Sequence, residues 1–258
     1  MIMTMRQQLA QQYGTSNNLQ ARIAMHERFS TNPQDWVDWL WDVMQLPSAG
    51  RVLELGGGTG RLWHAHRQHL GQLQISYSDH SLGMVQTAKN QLADLAQLNF
   101  SQVDAHYLPF TEASFDVVIA NHMLYHVADQ ALVLAEIRRV LKPNGVFFAA
   151  TNGNQHMHEI KELIQAVYPT ADVTPFSLSF TLESGQALLQ SQFEQVEIIQ
   201  FENNLAVTEV EPIVEYVRST QCLSEEHLAV CRELVSEQLA ANQGLFPIQK
   251  SVGLFVCR

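Results

Sequence analysis

Three observations predict an α/β protein built on a parallel, doubly wound sheet. Strand-like and helical runs alternate from residue 50 onward, the pattern of successive βαβ units. The first strand runs into a glycine-rich turn, Leu55-Gly56-Gly57-Gly58-Thr59-Gly60, which opens a helix. The strands also differ in apolar character. Val117-Val118-Ile119-Ala120 and Val146-Phe147-Phe148-Ala149 are apolar on both faces, as central strands are, whereas Leu73-Gln74-Ile75-Ser76-Tyr77 and Phe100-Ser101-Gln102-Val103 are mixed, as strands nearer an edge are. That grading agrees with a strand order of 3-2-1-4-5.

The elements follow in order. A helix is expected from about Asn18 to Phe29, and a second carries Trp36, Val37, Leu40, Trp41 and Met44 on one face. Pro33 suits the first turn of that second helix and Pro47 ends it. Strands are expected at 51–55, 73–78, 99–104, 115–120 and 145–151, with helices from 61, over 81–97 and over 129–141. Leu141-Lys142-Pro143-Asn144-Gly145 reads as a helix end and tight turn. Beyond a helical stretch at 155–167, further strands fall at 196–201 and 252–256. Between them a helix starting at Ser224 carries Leu228, Cys231, Val235 and Leu239 on its apolar face, and Gly244 and Pro247 mark the exit of the block. The expected organisation is a single domain, 1–258. An N-terminal helical cap covers 1–48, a core covers 49–206 and 247–258, and a helical lid is inserted at 207–246.

Composition narrows the class of partner. The chain has 258 residues and a net charge of -11, a balance that repels polyanions and lowers the expectation of a nucleic-acid partner. No apolar run approaches the ~20 residues that span a bilayer, and Met1 to Gln8 lacks an apolar signal core. A soluble cytoplasmic protein is expected. Cys222, Cys231 and Cys257 form no pairable framework. His64, His66 and His69 do not share one helical face, and no metal site is expected.

The glycine corner carries the chemistry. A phosphate-binding P-loop needs Lys and Ser/Thr after its last glycine, but Arg61 and Leu62 follow Gly60. A dinucleotide fingerprint needs a third glycine at the sixth position, where Arg61 or Trp63 stands. What remains is acid-x-Gly-x-Gly-x-Gly, spelled Glu54-Leu55-Gly56-Gly57-Gly58-Thr59-Gly60. Further along come Val103-Asp104-Ala105 with Leu108-Pro109-Phe110, and Phe115-Asp116-Val117-Val118-Ile119-Ala120.

Together these stretches resemble the class I S-adenosylmethionine-dependent methyltransferases, closely over about residues 50–152 and loosely elsewhere. The resemblance implies a Rossmann-like seven-stranded sheet of order 3-2-1-4-5-7-6, last strand antiparallel, with helices on both faces. It implies S-adenosylmethionine as methyl donor. Gly56, Gly57, Gly58 and Gly60 would lie against the donor, and Glu54 would face its amino group, though an acid there also caps backbone N–H groups. Asp79, about 20 residues beyond the glycines, would accept from both ribose hydroxyls, or cap the helix near Ser81. His80 adjoins it. Met84 would pack on the adenine face or in the core. Asp104 and Ala105 would bind the adenine edge.

Asn121 stands where donor and acceptor meet. His122 and His126 are the catalytic candidates, four apart and so on one face of a helical turn. Tyr13, Arg22 and His26 are candidates for the lid or acceptor site. The expected reaction is methyl transfer to a small metabolite, with transfer RNA or a protein as alternative acceptor. A nicotinamide-dependent oxidoreductase, or a non-catalytic protein that binds S-adenosylmethionine, completes the alternatives.

Overall fold

The structure, a computed structural model, describes residues 16–176 and 178–258. The chain divides into two compact units. The sheet unit comprises Gln34–Gly153, Ser179–Phe201 and Val252–Arg258. The helical unit comprises the described residues up to Pro33, Asn154–Leu178 and Glu202–Ser251.

The sheet unit starts with α2 (Trp36–Met44), the helix α1 (Ser16–Phe29) belonging to the other unit. Asp35 caps α2 by accepting from the Val37 N–H, so Pro33 precedes the helix instead of sitting in its first turn. There follow β1 (Ala49–Leu55), α3 (Arg61–Ala65), β2 (Gln72–Asp79), α4 (Leu82–Gln91), β3 (Leu98–Gln102), β4 (Phe115–Ile119), α5 (Gln130–Val140) and β5 (Leu141–Asn152). After the excursion into the helical unit come α7 (Leu182–Gln190), β6 (Val196–Gln200) and β9 (Val252–Cys257).

The strand order is β3-β2-β1-β4-β5-β9-β6. The first five are parallel, and β9 runs antiparallel to both β5 and β6. This is the expected order, with two short strands of the helical unit intervening in the count. The apolar runs explain themselves in this sheet. Along β1, Val52 joins the core on one face with Ile75, Val117, Phe148 and Leu254, while Leu53 joins the core on the other with Val118, Phe147, Ala149 and Phe255. A strand covered on both faces cannot alternate polar and apolar residues. One face is covered by α2, α3 and α4 through Leu40, Trp63 and Ala88, the other by α5 and α7 through Leu134, Ile137 and Leu189.

Several boundaries differ from expectation. The α3 helix is only 5 residues long. The α4 helix ends at Gln91, and two three-residue turns follow, the Leu95 N–H donating to the Leu92 carbonyl and the Leu98 N–H to the Leu95 carbonyl. The segment 141–145 is not a tight turn. Leu141 pairs with Phe115 and Val146 with Val117, so 142–145 bulge opposite Asp116. Asp116 accepts from Lys142 Nζ (2.7 Å) and the Arg51 N–H (2.8 Å), which holds the bulge. The α7 helix carries a reciprocal Thr181–Ser184 capping box that the apolar pattern does not reveal.

In the helical unit, α1, α6 (His158–Val167), α8 (Val210–Thr220) and α9 (Glu225–Ala241) pack around Met25, Ile160, Ile164, Val214, Val217, Cys231 and Val235. The strands β7 (Asn204–Val207) and β8 (Phe246–Gln249) clasp the base of the α8–α9 segment, pairing Leu205 with Ile248. Pro247 sits in β8, where a two-stranded ladder tolerates it. Among the described residues no helix is long and apolar enough to cross a membrane, and no group of metal-ligating side chains converges.

Candidate functional site

The strand order reverses between β1 and β4. In a doubly wound sheet the crevice at that point, beyond the C-terminal strand ends, is where ligands bind. The loops after β1 and β4 meet there: a Cβ placed on Gly56 would lie 2.7 Å from Met123 Cβ.

Three consecutive residues of β2 pin the glycine loop. The Tyr77 hydroxyl donates to the Gly58 carbonyl. The Ser78 carbonyl accepts from the Gly57 N–H (3.0 Å), and its hydroxyl donates to the Glu54 carbonyl (2.7 Å). Asp79 Oδ2 accepts from the Gly58 N–H (3.0 Å) and Oδ1 from the Ser81 N–H (2.8 Å). Two glycines are required by this geometry. A Cβ on Gly57 would come within 2.3 Å of the Tyr77 ring. Gly58 has φ +62°, and a Cβ there would meet nothing within 4 Å, so the loop leaves open space on the side a ligand would take.

Among the described residues the carboxylates at this corner have no cationic hydrogen-bond partner. Glu54 is 3% exposed and accepts from Trp63 Nε1 at 2.6 Å. Burial pushes its pKa up to about 7; the indole hydrogen bond opposes the shift and the nearby Asp79 charge adds to it. Asp79 is also raised by burial, against the pull of its two backbone N–H donors. Each of its oxygens has a second lone pair for a ligand hydroxyl. Ser81, not Asp79, caps α4, accepting from the Met84 N–H. Met84 is half-buried, and its neighbours Val85 and Ala88 are the residues of α4 that enter the core. His80 is exposed, with its carbonyl accepting from Gln102 Nε2.

After β3, Asp104 is exposed and Ala105 buried. Asp104 Oδ1 accepts from the His106 N–H (3.0 Å) and lies 2.6 Å from His106 Nδ1. The backbone contact, with the ring's help, holds the Asp104 pKa below the usual range.

After β4, Asn121 Oδ1 is buried and without a hydrogen-bond partner among the described residues. A buried acceptor left open costs roughly 1–3 kcal/mol, which a donating ligand group would recover. His122 holds a left-handed backbone, φ +54°, and its N–H donates to the Ala150 carbonyl (2.9 Å). Such a conformation in a residue other than glycine clusters at functional sites. Its ring lies 5.5 Å from Trp36 and 6.4 Å from Tyr125, centroid to centroid. His126 ends a single 3₁₀ turn, Leu124–His126, and burial pushes its pKa down to about 4. The expected α-helical turn placing both histidines on one face is therefore absent: a left-handed residue and a 3₁₀ turn separate them.

Tyr13 lies outside the described residues. Arg22 and His26 lie on α1 of the helical unit, beside Tyr216. The residues that sequence reasoning missed are Trp63, Tyr77 and Ser78. They read as ordinary core and strand positions, and only their contacts across the sheet give them a role.

A glycine loop stitched to a carboxylate at the switch point of a 3-2-1-4-5 sheet, with the chain returning as an antiparallel strand, defines the class I methyltransferase fold. The family model described as "Methyltransferase domain" matches residues 53–149. The ubiquinone/menaquinone biosynthesis C-methyltransferase UbiE of Desulfotalea psychrophila is 36% identical over 99 residues, 38% of this chain and 40% of its own. The malonyl-[acyl-carrier protein] O-methyltransferase of Xylella fastidiosa is 27% identical over 158 residues, 61% of this chain and 52% of its own. Phosphoethanolamine N-methyltransferase 2 of Haemonchus contortus, solved with S-adenosyl-L-methionine, shares the fold with a TM-score of 0.63 at 18% identity, covering 99% of this chain and 60% of that one. Residues 53–149 thus carry a methyltransferase domain related to that of UbiE, the chain has the class I methyltransferase fold, and S-adenosylmethionine is the methyl donor of that class. The chain spans about half the length of the curated relatives it matches, 40%, 55% and 46% of the first three.

Proposed function

We propose that the chain transfers a methyl group from S-adenosylmethionine to a small-molecule acceptor. The observation that carries this reading is the corner at residues 54–60, where open space at Gly58 adjoins the buried Glu54 and the half-buried Asp79. Its electrostatics suit a cationic ligand. In this reading Asp79 takes the ribose hydroxyls and Glu54 the donor's ammonium. Asp104 and Ala105 take the adenine edge, Met84 and His80 flank the ring, and Asn121 accepts from a donor or acceptor N–H.

The donor supplies an electrophilic methyl on a sulfonium sulfur. The chain's part is to hold the acceptor in line with it, worth up to ~7–11 kcal/mol in favourable cases. An acceptor that arrives deprotonated needs no base. For one that does not, His126 is poorly suited, since a group with a pKa of about 4 binds protons weakly at neutral pH. We assign His126 to the lining and His122 to the acceptor side as the base.

The named relatives methylate carbon, oxygen and nitrogen respectively, so the fold does not fix the acceptor atom. The net charge of -11 favours a metabolite over a polyanion such as transfer RNA. Calorimetry with S-adenosylmethionine, S-adenosylhomocysteine and NADH tests the donor, and labelled-methyl uptake across a metabolite library tests the acceptor. Binding of NADH alone would end the methyltransferase reading. Donor binding without transfer to any metabolite, protein or RNA would favour a non-catalytic role.

A further inference from the structure

The helical unit contains four described arginines: Arg22, Arg28, Arg218 and Arg232. Three are neutralised by glutamates: Arg28 by Glu209, Arg218 by Glu215 and Glu225, and Arg232 by Glu211. Arg22 differs. Its Nε donates to Ser219 Oγ (2.8 Å) and its Nη2 to the Ser219 carbonyl (2.9 Å), both neutral acceptors. The Ser219 hydroxyl in turn donates to the Tyr216 carbonyl (2.6 Å), so the clamp is fixed to α8. A guanidinium has five N–H groups, and these bonds use only two.

Tyr216 lies beside it, and two histidines pack onward from that ring. The guanidinium carbon lies 5.8 Å from the Tyr216 ring centroid. His26 is one helical turn beyond Arg22 on α1 and meets Tyr216 edge-on at 6.0 Å. His156 stacks on His26 at 6.3 Å, with its Nδ1 accepting from the Ser251 N–H. Asp172 also reaches this neighbourhood, raising the Cys222 thiol pKa where Arg22 lowers it, and its carboxylate accepts from the Thr174 N–H (2.9 Å). A half-buried cation held rigid by neutral groups keeps its charge and has paid its ordering cost in advance, the condition under which a carboxylate or phosphate binds with charge-assisted, bidentate geometry.

We propose that Arg22, with Tyr216 beside it and His26 and His156 packed onward, is a binding site for the anionic group of a small molecule, a carboxylate or a phosphate monoester. The inference is independent of the methyltransferase reading.

The test uses the full chain titrated with inorganic phosphate and, separately, with acetate, against chloride at matched ionic strength. Occupancy is read from the imidazole proton resonances of His26 and His156 and from the melting temperature, which binding raises by mass action. Saturable shifts of those two histidines with one anion, absent with chloride, are expected, and the anion that produces them identifies the source. Arg22→Ala should weaken binding by roughly tenfold or more, and Arg22→Lys should retain part of it. The absence of histidine shifts with both anions in the unaltered protein would overturn the proposal, as would undiminished binding in a folded Arg22→Ala protein. Because the first readout needs no variant, failure of Arg22→Ala to fold leaves the proposal open to refutation.

Discussion

The proposed donor corner of the sheet unit and the Arg22 cluster of the helical unit are electrostatic opposites built in the same way. In the first, Glu54 and Asp79 are held by an indole N–H and by backbone N–H groups. In the second, a guanidinium is held by a hydroxyl and a carbonyl. Other charges are paired with their opposites, as in Arg139–Glu136 and Lys142–Asp116. Neutral partners fix a charged side chain in place without cancelling it. The contrast teaches where to look for ligands: at charges that are positioned but not compensated, a cation at one and an anion at the other.

The strongest test of the comparison is Asp79→Ala. It removes the anchor of the Gly58 N–H as well as the proposed ribose contact, and should weaken S-adenosylhomocysteine binding about a thousandfold, the equivalent of two charge-assisted hydrogen bonds. Calorimetry showing unchanged affinity would remove Asp79 from the site.

Next in size is a pH effect of Glu54. Its folded pKa, about 7, lies above the ordinary 4.5, so between those values the folded protein holds a proton that the unfolded chain has released. The stabilisation is fully present below about pH 4.5 and is lost as pH rises through about 7, in total about 3 kcal/mol. Affinity for a cationic donor should move the other way and increase through the same window. Urea titrations of the wild type and Glu54→Gln across pH isolate the term. Parallel stability curves would show that Glu54 titrates normally.

Trp63→Phe keeps most of the ring but removes the donor to Glu54 Oε2. It should cost about 1–3 kcal/mol above pH 7, where the carboxylate is charged, and less at about pH 5.5. Equal losses at both would assign Trp63 to packing alone. The smallest expected effect on stability is that of Gly58→Ala, about 1 kcal/mol for a left-handed backbone, with no clash to add. A methyl in the open space should nonetheless reduce donor affinity. A loss of stability with full affinity would mean that the space beside Gly58 is not the donor's.

How much of this was legible in the sequence follows the range of the interactions. The glycine corner, Asp79 and the strand order depend on local pattern and on apolar runs such as Val117–Ala120, and they are read directly. The pinning of the loop by Tyr77 and Ser78, and of Glu54 by Trp63, depends on which side chains face each other across β1, β2 and α3, and periodicity does not encode that. The clamp of Arg22 on Ser219 joins residues 197 positions apart. The β7–β8 clasp, made of strands of 4 residues each, offers too little alternation to stand out. His122 and His126 misled because spacing of four implies a shared face only in an α-helix, and the left-handed backbone at His122 interrupts any such turn.

The position of β9 has a consequence for assembly on the ribosome. Its six residues are all buried, and among the described residues it is the sole ladder partner of β6. Until residues 252–257 emerge, β6 has no neighbour and β5 keeps one bare edge, a pair of adhesive surfaces. The α8–α9 segment is synthesised in that interval. A nascent chain stalled there would carry an incomplete sheet, open to pairing with other chains.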